Sequence, residues 1–337
     1  MTHALLKLER DKLEKFEKNK LSKTRLVLIE GTHSEENLSY KNHPGNPDRG
    51  IVSLVDSFNR LNLNYQLIES TDSQLIPNLM DTDFAFPYAH GEFGEDGRLQ
   101  GLLDYVNVPY IASGVLGSAI CTDKLSFKRL VRQANIPTAN FIDLSHEKNT
   151  TEILYYVDAI GYPVMVKLRN GGSSIGIHKI DNRNDLLTWL TKTEKRNDYF
   201  VEKFIPGRFV TVGLIKTENG LRHLPMLEVT SESEFYDADE KLGVEGSSTP
   251  QFIVNPDLPV ETTAKIFNAS YRAFEVCNCE SIIRLDYIID VDGNPYLLEI
   301  NTIAGLAANS NLPSMFYELG YTYDEMILEI MNSAFVK

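Results

Sequence analysis

A mixed α/β protein whose first domain carries a parallel sheet is predicted by three observations. From Thr24 onward, short apolar runs alternate with amphipathic stretches, the signature of βαβ units. Two of the loops that follow those runs collect glycine, histidine and acidic residues, at the end of the strands where parallel sheets bind ligands. Near the C-terminus, residues 282–289 alternate apolar with polar positions, Asp292-Gly293-Asn294 makes a turn, and residues 295–300 run back, a hairpin.

In chain order, residues 1–22 are helix-forming and highly charged, and read as a leading helix or arm. Strands are expected over 25–29, 65–68 and 83–88, with an amphipathic helix over 48–61. The loop after the third strand holds His90, Gly91, Glu92, Gly94, Glu95, Asp96 and Gly97 and opens a helix over 96–106. Glycine lets backbone approach a ligand closely, and the amide end of a helix favours an anion. For His90, a ligand contact and a locally satisfied loop histidine both fit. A short strand over 109–112 leads to a helical stretch bearing Asp123-Lys124.

A second unit follows, with helices over 151–160 and 183–193 and strands over 163–167, 175–180 and 199–204. Its loop RNGGSSIG has glycines and serines but no acid, which suits a flap whose amides cover phosphates. No Gly-Lys-Ser/Thr precedes a helix there, so it is not a Walker loop; a glycine-rich turn is the competing reading. A strand over 208–215 begins a third unit that ends in a single helix over 314–336. The division is therefore an arm (1–22), a first α/β domain (23–115), a central lobe (116–206) and a C-terminal lobe (207–337). The long polar loop 236–250 is the candidate lid.

The 337 residues, 42% hydrophobic, can bury a substantial core. A net charge of −14 disfavours general attraction to nucleic acid or an anionic membrane, so an anionic substrate must be met by a few placed cations. No apolar run reaches transmembrane length and no signal-peptide core precedes the early charges, so a soluble cytoplasmic protein is expected. Cys121, Cys277 and Cys279 lack metal-site spacing and read as reduced structural thiols.

On the C-terminal hairpin, period-two alternation puts Arg284 and Asp286 on one face of the first strand, and Glu299 and Asn301 on one face of the return strand. Two carboxylates and an amide oxygen are hard ligands suited to Mg²⁺ with phosphate oxygens, and Arg284 would face developing negative charge. A solvated hairpin is the competing reading. Leu297-Leu298 before Glu299, and the small-residue loop from Ala304 to Ala308, argue against it.

Five stretches, HGEFGEDGRLQGLLD, PYIASGVLGSAICTDK, VKLRNGGSSIGIHK, VEKFIPGRFVTV and IIRLDYIIDVDGNPYLLEINT, resemble in order and spacing the D-alanine–D-alanine ligases of the ATP-grasp fold. The resemblance runs from about Thr24 to the C-terminus and implies a three-domain ATP-grasp protein. It implies ATP and two Mg²⁺ ions as cofactors, Mn²⁺ as a possible substitute, small amino acids as substrates, and a homodimer. Asp286, Glu299 and Asn301 would bind the metal ions, and Arg284 the transferring phosphoryl group. Lys124 and Lys167 would hold phosphates under a flap carrying Ser173 and Ser174. Glu202, Lys203 and Ile205 would line the adenine pocket. Glu35 would take the ammonium of the first amino acid, supported by His90 and Glu95, and Lys241 on the lid would reach the γ-phosphate. Ser310, with Gly305 and Asn311 beside it, would bind the second amino acid.

Departures from the family pattern bear on substrate. Phe209 stands where a glutamate usually holds the ribose hydroxyls, a loss of about 1.5–3 kcal/mol per charge-assisted hydrogen bond unless a neighbouring carboxylate takes over. Leu242 replaces a lid tyrosine, and Ala304, Asn309 and Asn311 change the border of the second subsite. The leading reading is a D-alanine–D-alanine ligase of peptidoglycan precursor synthesis. A ligase of the same family with another acceptor or amino-acid pair, and a catalytically weak nucleotide-binding regulatory homologue, are the alternatives.

Overall fold

The computed structural model describes residues 23–31, 49–144, 149–171, 176–230 and 251–336. The leading arm and the candidate lid lie outside the described residues. The first unit comprises β1 (Leu26–Gly31), α1 (Arg49–Arg60), β2 (Tyr65–Glu69), α2 (Leu75–Leu79), β3 (Phe84–Ala89) and α3 (Arg98–Tyr105), with a parallel sheet in the order β2-β1-β3. β1 and β3 are apolar on both sides because both faces are covered, whereas the edge strand β2 is largely exposed. Leu26 and Leu28 pack with Leu54 and Phe58 of α1, while Val27 and Ile29 pack with Leu75, Leu79 and Leu99 of α2 and α3.

Two boundaries in this unit differ from expectation. The helix expected from residue 96 begins at Arg98, since Gly97 takes a φ of +93° and Asp96 folds back to accept from the Phe93 amide. The strand expected over 109–112 is a single bridge between Tyr110 and Ala85.

Next come α4 (Val115–Thr122) and α5 (Lys124–Gln133), separated at Asp123, whose carboxylate caps α5 by accepting from the Leu125 and Ser126 amides. The central unit comprises β4 (Phe141–Asp143), α6 (Thr150–Ile160), β5 (Val164–Leu168), β6 (His178–Ile180), α7 (Arg183–Lys192) and β7 (Tyr199–Lys203). Its sheet runs β4-β7-β5-β6, all antiparallel, over a separate core that includes Ile153, Val157, Val166, Leu186 and Val201.

The C-terminal unit comprises β8 (Arg208–Thr217), β9 (Gly220–His223), β10 (Leu227–Thr230), β11 (Gln251–Val254), α8 (Val260–Val276), β12 (Ile282–Ile289), β13 (Pro295–Asn301), α9 (Asn311–Glu318) and α10 (Tyr323–Ser333). Its antiparallel sheet runs β11-β10-β8-β12-β13, with β9 also paired to β8. The single helix expected over 314–336 is two helices. Gly320, at φ +79°, leaves the helical region, and a capping box between Thr322 and Glu325 starts the second helix. Strands β4, β9, β10 and β11 and the long helix α8 had no counterpart in the sequence reading.

Packing also places α4 and α5 differently from the boundary expected at residue 116. Cys121, Phe127 and Val131 share one core with Val212, Leu214, Ile283 and Leu297, so these helices belong to the C-terminal sheet by packing. Gly117 is the point of closest approach, because a Cβ there would stand 2.4 Å from the carbonyl oxygen of Asn278. Cys121, Cys277 and Cys279 are buried free thiols near this seam.

Gly117→Ala is therefore expected to destabilise by about 1–3 kcal/mol, seen as a lower apparent Tm. Gly101→Ala in α3, where the nearest atom to a new Cβ is 3.7 Å away, is expected to leave Tm unchanged or raise it. Equal shifts for the two variants would show that the α4 seam is not closely packed.

Candidate active site

The hairpin β12–β13 brings its four polar residues together through register. Arg284 lies opposite Asn301 and Asp286 opposite Glu299, after which a β-bulge beyond Asp286 shifts the pairing so that Tyr287 meets Leu297. Asp286 is 3% exposed and fully engaged. Arg284 donates to both of its oxygens at 3.0 Å, Thr211 of β8 donates at 2.8 Å and the Asn301 amide at 3.1 Å.

Lys124, at the first turn of α5, reaches the same group: its ammonium lies 3.0 Å from Glu299 and 2.7 Å from the Gly171 carbonyl at the base of the flap. One turn on, Lys128 points the same way but is 1% exposed. It lies 2.7 Å from Glu202, and Lys167 of β5 lies 2.5 Å from the other Glu202 oxygen. Burial alone would raise the Glu202 carboxyl, but the two ammonium groups overcome it and hold it down at about 2. Burial likewise lowers Lys128, whereas Glu202 raises Lys167 above its ordinary value against the same penalty. Lys128 also donates to Thr138, which donates to the Leu297 carbonyl of β13, so the charge network crosses from the central sheet to the hairpin.

The Glu202 carboxylate is enclosed by the two lysines. The Lys203 ammonium is turned onto the carbonyls of Gly161 and Tyr162, and Ile205 is half-buried beside it. Phe209 lies on the same face of β8 as Thr211, paired with Ile288, so it does border the site. Glu228 is one register position away, opposite Val210, and both of its oxygens are taken by Arg208 at 2.7 Å. It supplies no substitute carboxylate on the Phe209 face.

In the first unit, Glu95 accepts from the Gly91 amide at 2.6 Å and lies 3.9 Å from His90, whose ring meets Tyr88 edge-on. Opposite stands the loop 303–310, where Ser310 precedes α9 and turns its hydroxyl back to donate to the carbonyls of Gly305 and Ala307. Asn311 is the first residue of α9 and is buried. Glu35, Ser173, Ser174, Lys241 and Leu242 lie outside the described residues. Lys128, Thr138, Thr211 and Tyr88 were missed by the sequence reading. Only Lys128 carried a signal, its i,i+4 spacing from Lys124 on a helix.

Among the described residues, no three His, Cys, Asp or Glu side chains gather at metal-ligand spacing. A divalent cation here would rest on Asp286, Glu299 and the amide oxygen of Asn301. The set fits Mg²⁺: all donors are hard oxygens, and each carboxylate already faces a positive charge, Arg284 on Asp286 and Lys124 on Glu299. Rotation of the Asn301 amide would exchange its NH₂ for its oxygen toward that position.

Residues 10–113 match the family model described as D-ala D-ala ligase N-terminus, and residues 130–332 the one described as D-ala D-ala ligase C-terminus. A D-alanine–D-alanine ligase of Pseudothermotoga lettingae is 36% identical over 77% of this chain and 84% of its own length. One from Clostridium botulinum is 30% identical over 91% of this chain and 97% of its own. The crystal structure of D-alanine–D-alanine ligase from Bacillus anthracis superposes with a TM-score of 0.76 at 26% identity, covering 93% of this chain and 97% of that one. A structure of the Bacillus anthracis ligase complexed with ATP superposes with a TM-score of 0.74. The multidomain α/β architecture is thus that of the ATP-grasp ligases. The chain belongs to the D-alanine–D-alanine ligase family, whose members are peptide-bond-forming enzymes. Among the described residues, no helix is long and apolar enough to cross a membrane.

The buried triad has a pH signature. Because the Glu202 carboxyl is depressed to about 2 in the folded chain, its stabilisation is present above its ordinary titration near 4.5 and is lost as pH falls toward 2. Glu202→Gln is expected to cost about 3–5 kcal/mol at pH 7, with the gap from wild type closing as pH falls from 4.5 to 2. Unfolding measured across that range checks it, and a gap independent of pH would show that the carboxylate is not the stabilising species.

Proposed function

We propose that this chain joins two D-alanine molecules into D-alanyl-D-alanine with ATP, in a cytoplasmic, homodimeric enzyme of peptidoglycan precursor synthesis. The observation that carries the reading is the cross-strand set Arg284, Asp286, Glu299 and Asn301, faced by Lys124 and Lys167. The ATP γ-phosphoryl group passes to the carboxylate of the first D-alanine, giving an acyl phosphate and ADP. The amine of the second D-alanine then attacks the acyl carbon and phosphate leaves. Such chemistry needs positioning and charge neutralisation more than covalent help.

The residues of the chain divide that work. Lys124 and Lys167 hold the phosphates. Arg284 faces the transferring group and the oxygen that becomes negative when the amine adds. Two Mg²⁺ ions, or Mn²⁺, held by Asp286, Glu299 and Asn301 would supply further neutralisation. Glu35, with His90 and Glu95 behind it, takes the ammonium of the first D-alanine, and Ser310 with Gly305 and Asn311 orients the second. Ser173, Ser174 and Lys241 cover the phosphates. An acyl phosphate hydrolyses in water, so the 236–250 loop is assigned the role of lid.

Incubation with ATP, Mg²⁺ and a panel of D- and L-amino acids, followed by mass analysis, is expected to yield D-alanyl-D-alanine with ADP and phosphate in equal amounts. Asp286→Asn is expected to lower kcat/KM by about 100-fold or more. A different joined pair would move the assignment to another acceptor, and ATP binding without turnover would support the regulatory reading.

Phe209 gives a second outcome. With no carboxylate on that face of β8, 2′,3′-dideoxy-ATP is expected to support turnover with a KM within about threefold of ATP, whereas two lost charge-assisted bonds would cost far more. A KM raised more than about tenfold would show that another group holds the ribose.

A further inference from the structure

The short loop after β13 is held from two domains by hydroxyl groups, and most of that hold centres on one residue, Leu306. The Leu306 amide donates to the Tyr88 hydroxyl at 3.1 Å, and the Leu306 carbonyl accepts from the Tyr323 hydroxyl at 2.8 Å. Beside it, Ala308 donates to Ser53 of α1 at 3.3 Å. Tyr88 and Leu306 are both buried, so an unmade bond at this amide is not repaid by solvent. Burial pushes the Tyr323 hydroxyl up, which keeps it a donor.

Tyr88 is itself tightly seated. A Cβ on Gly50, near the start of α1, would stand 1.8 Å from the Tyr88 oxygen, so the absence of a side chain there is what admits the hydroxyl. The other side of the ring lies edge-on to His90, with ring centroids 4.7 Å apart. One side chain therefore touches the loop assigned to the first amino acid and the loop assigned to the second.

We infer that Tyr88 is a positioning residue for the second amino acid, its hydroxyl setting the 305–308 backbone against the His90 loop. The inference rests on the ligase reading above. Tyr88→Phe keeps the ring and its packing and removes only the oxygen. It is expected to raise the KM of the second D-alanine subsite about tenfold. The first-subsite KM, the ATP KM and kcat at saturation should stay within about twofold. Tyr323→Phe, which releases the carbonyl of the same residue, should move the same KM in the same direction.

Hydrogen exchange at the Leu306 amide provides a readout independent of turnover, and Tyr88→Phe is expected to speed it at least about tenfold. Unchanged second-subsite KM in a folded Tyr88→Phe variant would overturn the inference. So would an equal loss in every kinetic parameter, which would mark a merely structural tyrosine, or unchanged Leu306 exchange. A wild-type chain that joins no amino-acid pair would instead sink the ligase reading, and the exchange experiment would still decide whether Tyr88 holds the loop.

Discussion

Asp286 sits in the middle of a sheet with 3% exposure, where a carboxylate must have its lone pairs engaged. The surrounding architecture meets that demand. β8 on one side supplies Thr211, β13 on the other supplies Asn301, and Arg284 comes from two residues earlier on the same strand. The bulge after Asp286 frees the return strand from strict pairing just where Glu299 must lie opposite Asp286. Remove the central position of β12 and none of these partners would meet.

Charge is distributed with the same economy. The whole chain carries −14, yet the described cleft sets Arg284, Lys124, Lys128 and Lys167 against Asp286, Glu299 and Glu202, an excess of cations over carboxylates. A polyanionic nucleotide meets a local field opposite in sign to that of the molecule. Lys128 and Lys167 are already desolvated and fixed by Glu202, so an anion beside them would demand little reorganisation, which is the condition for electrostatic stabilisation to act in a transition state.

The features legible in the sequence were those with short periods. Alternation over 282–289 located Arg284 and Asp286 on one face, and the strands of the first sheet were readable as apolar runs. What escaped had its cause in tertiary structure. Strands β9 and β10 are short segments paired to β8, and β11 is paired in turn to β10; nothing local marks them. Glu202 was singled out only through the family resemblance, and the pairing of its carboxylate with Lys128 and Lys167 needs three separate elements to meet. Helix α8 and the break at Gly320 are the exceptions, missed although their signals are local: Thr262, Ile266, Ala269, Ser270 and Ala273 form a helical stripe, and Thr322 with Glu325 spells a capping box.

The cores show which parts of the site are fused and which are only in contact. The first unit shares a core with the C-terminal helices: Phe86 and Tyr88 pack into one cluster with Leu306, Phe316 and Ile327, and Arg60 pairs with Asp324 at 2.7 Å across the same seam. The loop bearing His90 and the loop 303–310 are therefore carried on a single packed body. The central sheet keeps its own core and meets that body through polar links, Lys128 to Glu202 and Thr138 to Leu297. Polar links can exchange partners at little cost in buried apolar area, whereas a shared core cannot. It follows that a displacement of the central lobe would cost little buried apolar area, whereas the loop bearing His90 and the loop 303–310 would keep their mutual geometry through it.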